Sequence, residues 1–182
     1  CDARPGMQVA DICAGAAGKS LVMAAAMENR GRIVALDTDA VRLERGGARI
    51  RRAGIHNIER VGVSGDWGTK RYRGKFDRVV IDAPCSGSGT WRRQVDVRWR
   101  TDAATLERLQ GEQAALLEKG RAMLAPGGRI VYITCSVLRS EGEAQIERLI
   151  ADAPELEIAD IGDIWRDVLS LIHISEPTRR YS

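Results

Sequence analysis

The sequence has no run approaching the ~18 uninterrupted apolar residues of a membrane-spanning helix, so no helical membrane span is expected. A secretory opening is also lacking, because Asp2 and Arg4 stand in the first ten residues with no apolar run behind them. The four cysteines, Cys1, Cys13, Cys85 and Cys135, are too widely spaced for a CxxC redox or zinc pattern. With only two histidines, His56 and His173, a metal site of imidazoles and thiolates is not expected. His56 follows Gly54 in a loop, which fits a Cys–His hydrolase poorly. Cysteines without a CxxC pairing or a secretion signal make a reducing compartment, the cytoplasm, the expected location. Internal repeats, low-complexity tracts and interdomain linkers are missing, and a net charge of +3 with 44% apolar residues argues against disorder.

What is present is 182 residues, enough to bury a core without staples. Short apolar runs alternate with helical stretches. The pattern predicts strands at 7–12, 33–36, 58–63, 76–81 and 129–134, with a short further strand at 156–158. Helices are expected at about 19–29, from an Asp39 cap to about 53, from about 103 to 124, and at 141–151, with 83–103 as a long loop. Leu106, Leu109, Gln113, Leu116 and Leu117 follow helical spacing as core or core-edge positions. Near-continuous apolar strands alternating with helices indicate an α/β fold, a mostly parallel sheet with helices on both faces. Ligands of such sheets sit at the carboxyl ends of the strands, where Asp11, Asp37, Asp82, Cys85 and Cys135 all fall.

The first motif is Asp11-Ile-Cys-Ala-Gly-Ala-Ala-Gly-Lys-Ser20. It is neither G-x-G-x-x-G nor a P-loop. Small residues there let a ligand approach the backbone at a helix N-terminus, and Asp37 at the end of the next strand suits ribose hydroxyls. The pair indicates an adenosine-type cofactor. The second motif is Asp82-Ala-Pro-Cys-Ser-Gly-Ser-Gly-Thr-Trp-Arg-Arg93, and the third Tyr132-Ile-Thr-Cys-Ser136 with Glu141-Gly-Glu143 beyond it. Each places a cysteine just past a buried strand, and a thiolate is the best protein nucleophile near neutral pH. Cys13 by contrast reads as an inert small core residue.

Together these stretches resemble the RNA (cytosine-5) methyltransferase family, the RsmB/NSUN group. That family carries D-x-C-A-A-P-G-G-K-T, D-A-P-C-S-G-x-G-x-x-R-R, and T-C-S followed by acidic residues. The second motif matches almost letter for letter; in the first, Gly15, Ala16 and Ala17 stand where the family has Ala, Pro and Gly. The resemblance runs from about Pro5 to Ala151. It implies a Rossmann-like S-adenosylmethionine-dependent methyltransferase fold. Asp11, Cys13, Ala14, Gly15, Ala16, Ala17, Gly18 and Lys19 would wrap the methionine end, Asp37 would hold the ribose, and Asp66 would sit by the adenine. Cys135 would attack carbon 6 of a flipped-out cytosine, Asp82 would serve both cofactor and base, Cys85 would release product, and Lys19 would approach the same pocket. A Pro84-Cys85 nucleophile is the DNA-enzyme arrangement; the additional Cys135 is the RNA-type feature.

The implied partner is RNA, ribosomal rather than transfer RNA, with no membrane or metal partner and a monomeric protein. Six arginines between 42 and 60, five Lys or Arg between 70 and 78 and four Arg between 92 and 100 are compatible with phosphate contact or with plain solvated faces. Trp91 and Trp99 flank arginines, which suits stacking on RNA as well as packing over the core, and Arg92 and Arg93 suit phosphates. The rivals are a methyltransferase for another substrate class and an RNA-binding module without activity.

A chain that opens on Cys1 reads as a fragment with the N-terminal RNA-binding region missing and the fold C-terminally truncated. Residues 1–169 read as the catalytic domain, and Ser170–Ser182 as translated cloning or adapter sequence with no functional part, although Leu171–Ile174 would suit a strand against an exposed edge.

Overall fold

The computed structural model describes residues 1–64, 69–160, 162 and 164. Residues Cys1–Leu149 form one compact unit and Ile150–Ser182 a second. The boundary expected at 169 and the 171–174 strand lie outside the described residues.

Five parallel strands form the sheet: β1 (Gln8–Ile12), β2 (Arg32–Asp37), β3 (Ile58–Gly62), β4 (Phe76–Asp82) and β5 (Leu124–Ile133). Their order is β3-β2-β1-β4-β5. The chain therefore winds outward from β1 to β3, then crosses back to place β4 on the other side of β1. The carboxyl ends of β1 and β4 flank the point where the winding reverses, the place where such sheets open a ligand crevice. Val9, Ala10, Val34, Ala35, Val79 and Ile81 are all fully buried, so the central strands are covered on both faces.

The helices are α1 (Gly18–Ala26), α2 (Ala40–Arg52), the short α3 (Val95–Arg100), α4 (Ala103–Met123) and α5 (Glu143–Asp152). Met23, Ala24 and Met27 of the α1 region pack with Val9, Ile33 and Val80. On the opposite face α4 lies so close that a Cβ at Gly120 would stand 2.7 Å from Ile81 Cδ1. Strand parity makes this consistent: Val80 points one way, Val79 and Ile81 the other. α1 stops at Ala26 rather than near 29 because Glu28 and Asn29 turn left-handed, with φ of 52° and 58°. Asp39 caps α2 as expected, accepting from the Arg42 N–H at 2.9 Å.

Three expectations need correction. The segment 83–103 is not a plain loop, since it contains α3. β5 begins at Leu124 and runs through Pro126-Gly127-Gly128 instead of starting after them. Phe76 pairs with Leu124 and Arg78 with Arg129, so the surplus residues bulge out, and Gly127 supplies a φ of 75°. Residues 156–158 form no strand: the Leu156 N–H closes a turn onto the Ala153 carbonyl, and Ile158 is exposed.

Candidate functional site

The turn after β1 carries the first motif. Cys13, Gly15 and Ala17 adopt left-handed φ of 62°, 55° and 56°. For Cys13 and Ala17 this is a conformation that favours glycine, and Ala17 stands where the family pattern has glycine. Ala17 is the N-cap of α1 and gives no side-chain cap, and no acidic residue stands in the first turn. The N-terminus of α1 thus has no cap from its own N-cap side chain, which suits an anionic ligand. Asp37 holds the turn from β2: its Oδ2 accepts from the Gly15 N–H at 2.6 Å and its Oδ1 from the Asp39 N–H at 2.8 Å. From the other side, α2 presses Gly46 against the turn so closely that a Cβ there would lie 2.8 Å from the Ala16 carbonyl oxygen.

Asp11 ends β1 fully buried, with Oδ2 accepting from the Ser20 hydroxyl and Oδ1 lacking any partner. Burial pushes its carboxyl up to about 6, against the pull of Ser20 and Lys19. Burial likewise pushes the Cys13 thiol up to about 12, helped by the charge of Asp37.

At the end of β4, Asp82 accepts from Lys19 Nζ at 2.5 Å, with both side chains partly exposed. Three residues on, Cys85 meets Cys135 from the end of β5, with the sulfurs 3.2 Å apart. Both cysteines are free. Burial raises the Cys135 thiol to about 11, aided by the hydrogen bond and charge of Cys85 and by the Asp82 charge. Asp82 is close enough for its charge to be felt by Asp11, Cys13 and Cys135, which joins the strand ends into one crevice.

Two residues that the sequence placed in the third motif and among the core positions, without a role in the site, bridge the loops that carry the two thiols. Glu141 is fully buried. It accepts from the Ser86 N–H and hydroxyl and, at 3.0 Å, from Gln113 Nε2. Gln113 also donates to the Pro84 carbonyl at 2.9 Å. It is therefore a polar clamp inside an apolar stripe, not a plain core position. A lone polar residue at a buried helical spacing was the available signal. Gly89 donates its N–H to the Cys135 carbonyl at 3.0 Å, and a Cβ there would stand 2.7 Å from that oxygen.

Arg98 lies over both Trp91 and Trp99, its guanidinium carbon 5.8 Å and 5.6 Å from the two ring centres. Trp91 is half-buried with its Nε1 unpartnered, Trp99 is 80% exposed, and Arg92 and Arg93 are exposed. Asp66 lies outside the described residues. Among the described residues no group of His, Cys, Asp and Glu could hold a metal ion, and no helix is long and apolar enough to cross a membrane.

Residues 2–170 match the model of a family described as 16S rRNA methyltransferase RsmB/F. Among curated proteins the chain is 37% identical over 152 residues to a probable ribosomal RNA small subunit methyltransferase B of Synechocystis, covering 82% of the chain and 34% of that protein. It is 32% identical over 161 residues to the ribosomal RNA small subunit methyltransferase B of Yersinia pseudotuberculosis, covering 88% and 37%. The chain thus spans about a third of the length of the curated relatives it matches. Among solved structures it superimposes on a methyltransferase homolog protein from Pyrococcus horikoshii with TM-score 0.69 at 36% identity, covering 84% of this chain and 47% of that one. NSun6 from the same organism, solved with SFG, gives TM-score 0.68 at 24% identity over 80% of this chain and 37% of that one, a likeness of fold.

Proposed function

Because the chain belongs to the 16S rRNA methyltransferase RsmB/F family, we propose that it is the catalytic part of an S-adenosylmethionine-dependent enzyme that methylates carbon 5 of a cytosine in small-subunit ribosomal RNA. The observation that carries this reading is the pair of sulfurs 3.2 Å apart at the ends of β4 and β5. A methyltransferase that acts directly on a nitrogen or oxygen needs no such pair; carbon 5 of cytosine is too weak a nucleophile unless a thiolate first adds at carbon 6. The reading places the protein in the cytoplasm as a monomer.

The residues present fit the cofactor. The uncapped N-terminus of α1 suits its carboxylate, and the partnerless, buried Asp11 Oδ1 is an acceptor in want of a donor such as an ammonium group. A Cβ at Gly18 would meet nothing within 4 Å, which leaves room beside the backbone. Asp37, already tied to the turn, keeps lone pairs for ribose hydroxyls, and Asp66 is assigned to the adenine. The bound cofactor supplies an electrophilic methyl group. Everything else falls to the protein.

Cys135 Sγ, as thiolate, forms a bond to carbon 6 of a base flipped out of the RNA, and electron density moves onto carbon 5. Asp82 and Lys19, paired at 2.5 Å, are assigned to the ring-nitrogen edge of the base, Asp82 as its hydrogen-bond partner and the Lys19 ammonium as the positive group that stabilises the negative charge developing there. After carbon 5 is methylated it loses its proton, and the Cys135–carbon 6 bond breaks with the sulfur leaving as thiolate. Cys85 assists that release. Trp91, Arg92 and Arg93 meet the flanking RNA through stacking and phosphate contact. Bisulfite sequencing of ribosomal RNA from cells with and without the parent gene tests the reading: one small-subunit cytosine should lose its protection when the gene is removed, and an unchanged pattern contradicts it.

A further inference from the structure

Two catalytic thiols on different strand ends must reach the same base, yet neither β4 nor β5 by itself sets the distance between the loops that carry them. We infer that Glu141 is a positioning residue that locks Cys85 and Cys135 into one reacting pair by holding the residue that follows each of them. This rests on the reading of those two cysteines as the reacting thiols.

The geometry is specific. Ser86, next after Cys85, gives Glu141 both its backbone N–H and its hydroxyl. Ser136, next after Cys135, has its hydroxyl 3.3 Å from that of Ser86 and 2.9 Å from that of Ser88, so it is linked to Glu141 through Ser86, and it helps to hold the Glu141 carboxyl down. Ser88 Oγ in turn accepts from the Val137 N–H at 2.9 Å. Gln113 of α4 closes the network by donating to Glu141 and to the carbonyl before Cys85. One carboxylate therefore ties together the β4 loop, the β5 loop and the helix beneath them. Burial pushes the Glu141 carboxyl up, but the hydrogen bonds from Ser136, Ser86 and Gln113 outweigh it and hold the group below its ordinary value, so it is ionised at neutral pH. An acceptor-only carboxylate satisfies every one of these donors; an amide in its place would turn an NH2 group towards one of them.

Glu141→Gln is the test, read in two ways on the full protein. Without RNA, the thiol pair is equilibrated with glutathione and its disulfide, the protein giving up two protons and two electrons as glutathione disulfide becomes two thiols. The variant's effective thiol concentration should fall by roughly tenfold or more, with cofactor affinity unchanged. With RNA, kcat should fall roughly 10- to 100-fold while KM for the cofactor stays constant. A folded variant with thiol equilibrium and kcat at wild-type values overturns the inference. If Glu141→Gln does not fold, Ser86→Ala, which keeps the carboxylate and the backbone bond, should show a smaller fall in both quantities, and wild-type values there overturn it. A wild-type protein that binds cofactor but makes no RNA product defeats the proposed function, and the thiol equilibrium, which involves no RNA, still decides the role of Glu141.

Discussion

Cys85 and Cys135 are separated by fifty residues of sequence, and their sulfurs touch at 3.2 Å. One thiol donates to the other, and together with burial this makes Cys135 hold its proton more tightly than an isolated cysteine would. The attacking sulfur must therefore be deprotonated as the substrate arrives, and the partner thiol influences when that happens.

Removing the partner should make Cys135 easier to ionise. Burial does most to raise the Cys135 thiol to about 11, and Cys85→Ala deletes the hydrogen bond and the charge that add to it. The pH midpoint for alkylation of Cys135 by iodoacetamide, followed by peptide mass spectrometry, should move down. A midpoint that stays or rises contradicts the assigned coupling.

Asp11 gives the stability a pH dependence of defined sign. Its carboxyl rises from 3.8 in the unfolded chain to about 6 in the folded one, because burial favours the neutral form. The folded state thus holds the extra proton, and this contribution is full below pH 3.8 and lost as pH rises through 6. The loss amounts to about 3 kcal/mol, an order of magnitude set by the size of the rise. In the absence of cofactor, Asp11→Asn should gain on the wild type in urea unfolding as pH rises from 4 to 8 and then level off, roughly by that amount. Cofactor affinity should fall in the same variant.

Gly46 should be more sensitive than a helical glycine usually is. Alanine in an exposed helix interior stabilises by roughly 0.5–1 kcal/mol relative to glycine. Here the new Cβ would stand 2.8 Å from the Ala16 carbonyl, a backbone atom of the cofactor turn. Gly46→Ala should weaken S-adenosylmethionine binding by about tenfold in calorimetry, because the turn must shift. Unchanged affinity would mean that the turn does not touch the cofactor.

Much of this was legible in the sequence because the signals were local. Strand alternation, the Asp39 cap and the acidic residues that end β1, β2 and β4 all follow from short-range pattern. Three features were not. β5 runs through Pro126-Gly127-Gly128 because a bulge absorbs residues that look like a stop, and pairing to β4 decides that. α3 has no side-chain cap to announce it. Glu141 and Gln113 act through partners 28 to 55 residues away, a relation no periodicity encodes.

Trp99 offers the clearest surface test. The residue is 80% exposed with the Arg98 guanidinium carbon 5.6 Å from its ring centre, which leaves ring surface accessible to a base. Trp99→Ala should weaken RNA binding by roughly 1–3 kcal/mol without altering cofactor affinity, measured by fluorescence anisotropy at fixed salt. Equal affinity for the variant would remove this loop from the RNA contact surface.

The central claim is that Cys135 carries the covalent step and Cys85 the release. Wild type, Cys135→Ala and Cys85→Ala are each incubated with small-subunit ribosomal RNA and S-adenosylmethionine, and the protein–RNA adduct is resolved on a denaturing gel beside the methylated product. The account predicts neither adduct nor product with Cys135→Ala, and accumulated adduct with little released product for Cys85→Ala. The reverse pattern, adduct with Cys135→Ala and none with Cys85→Ala, would contradict it.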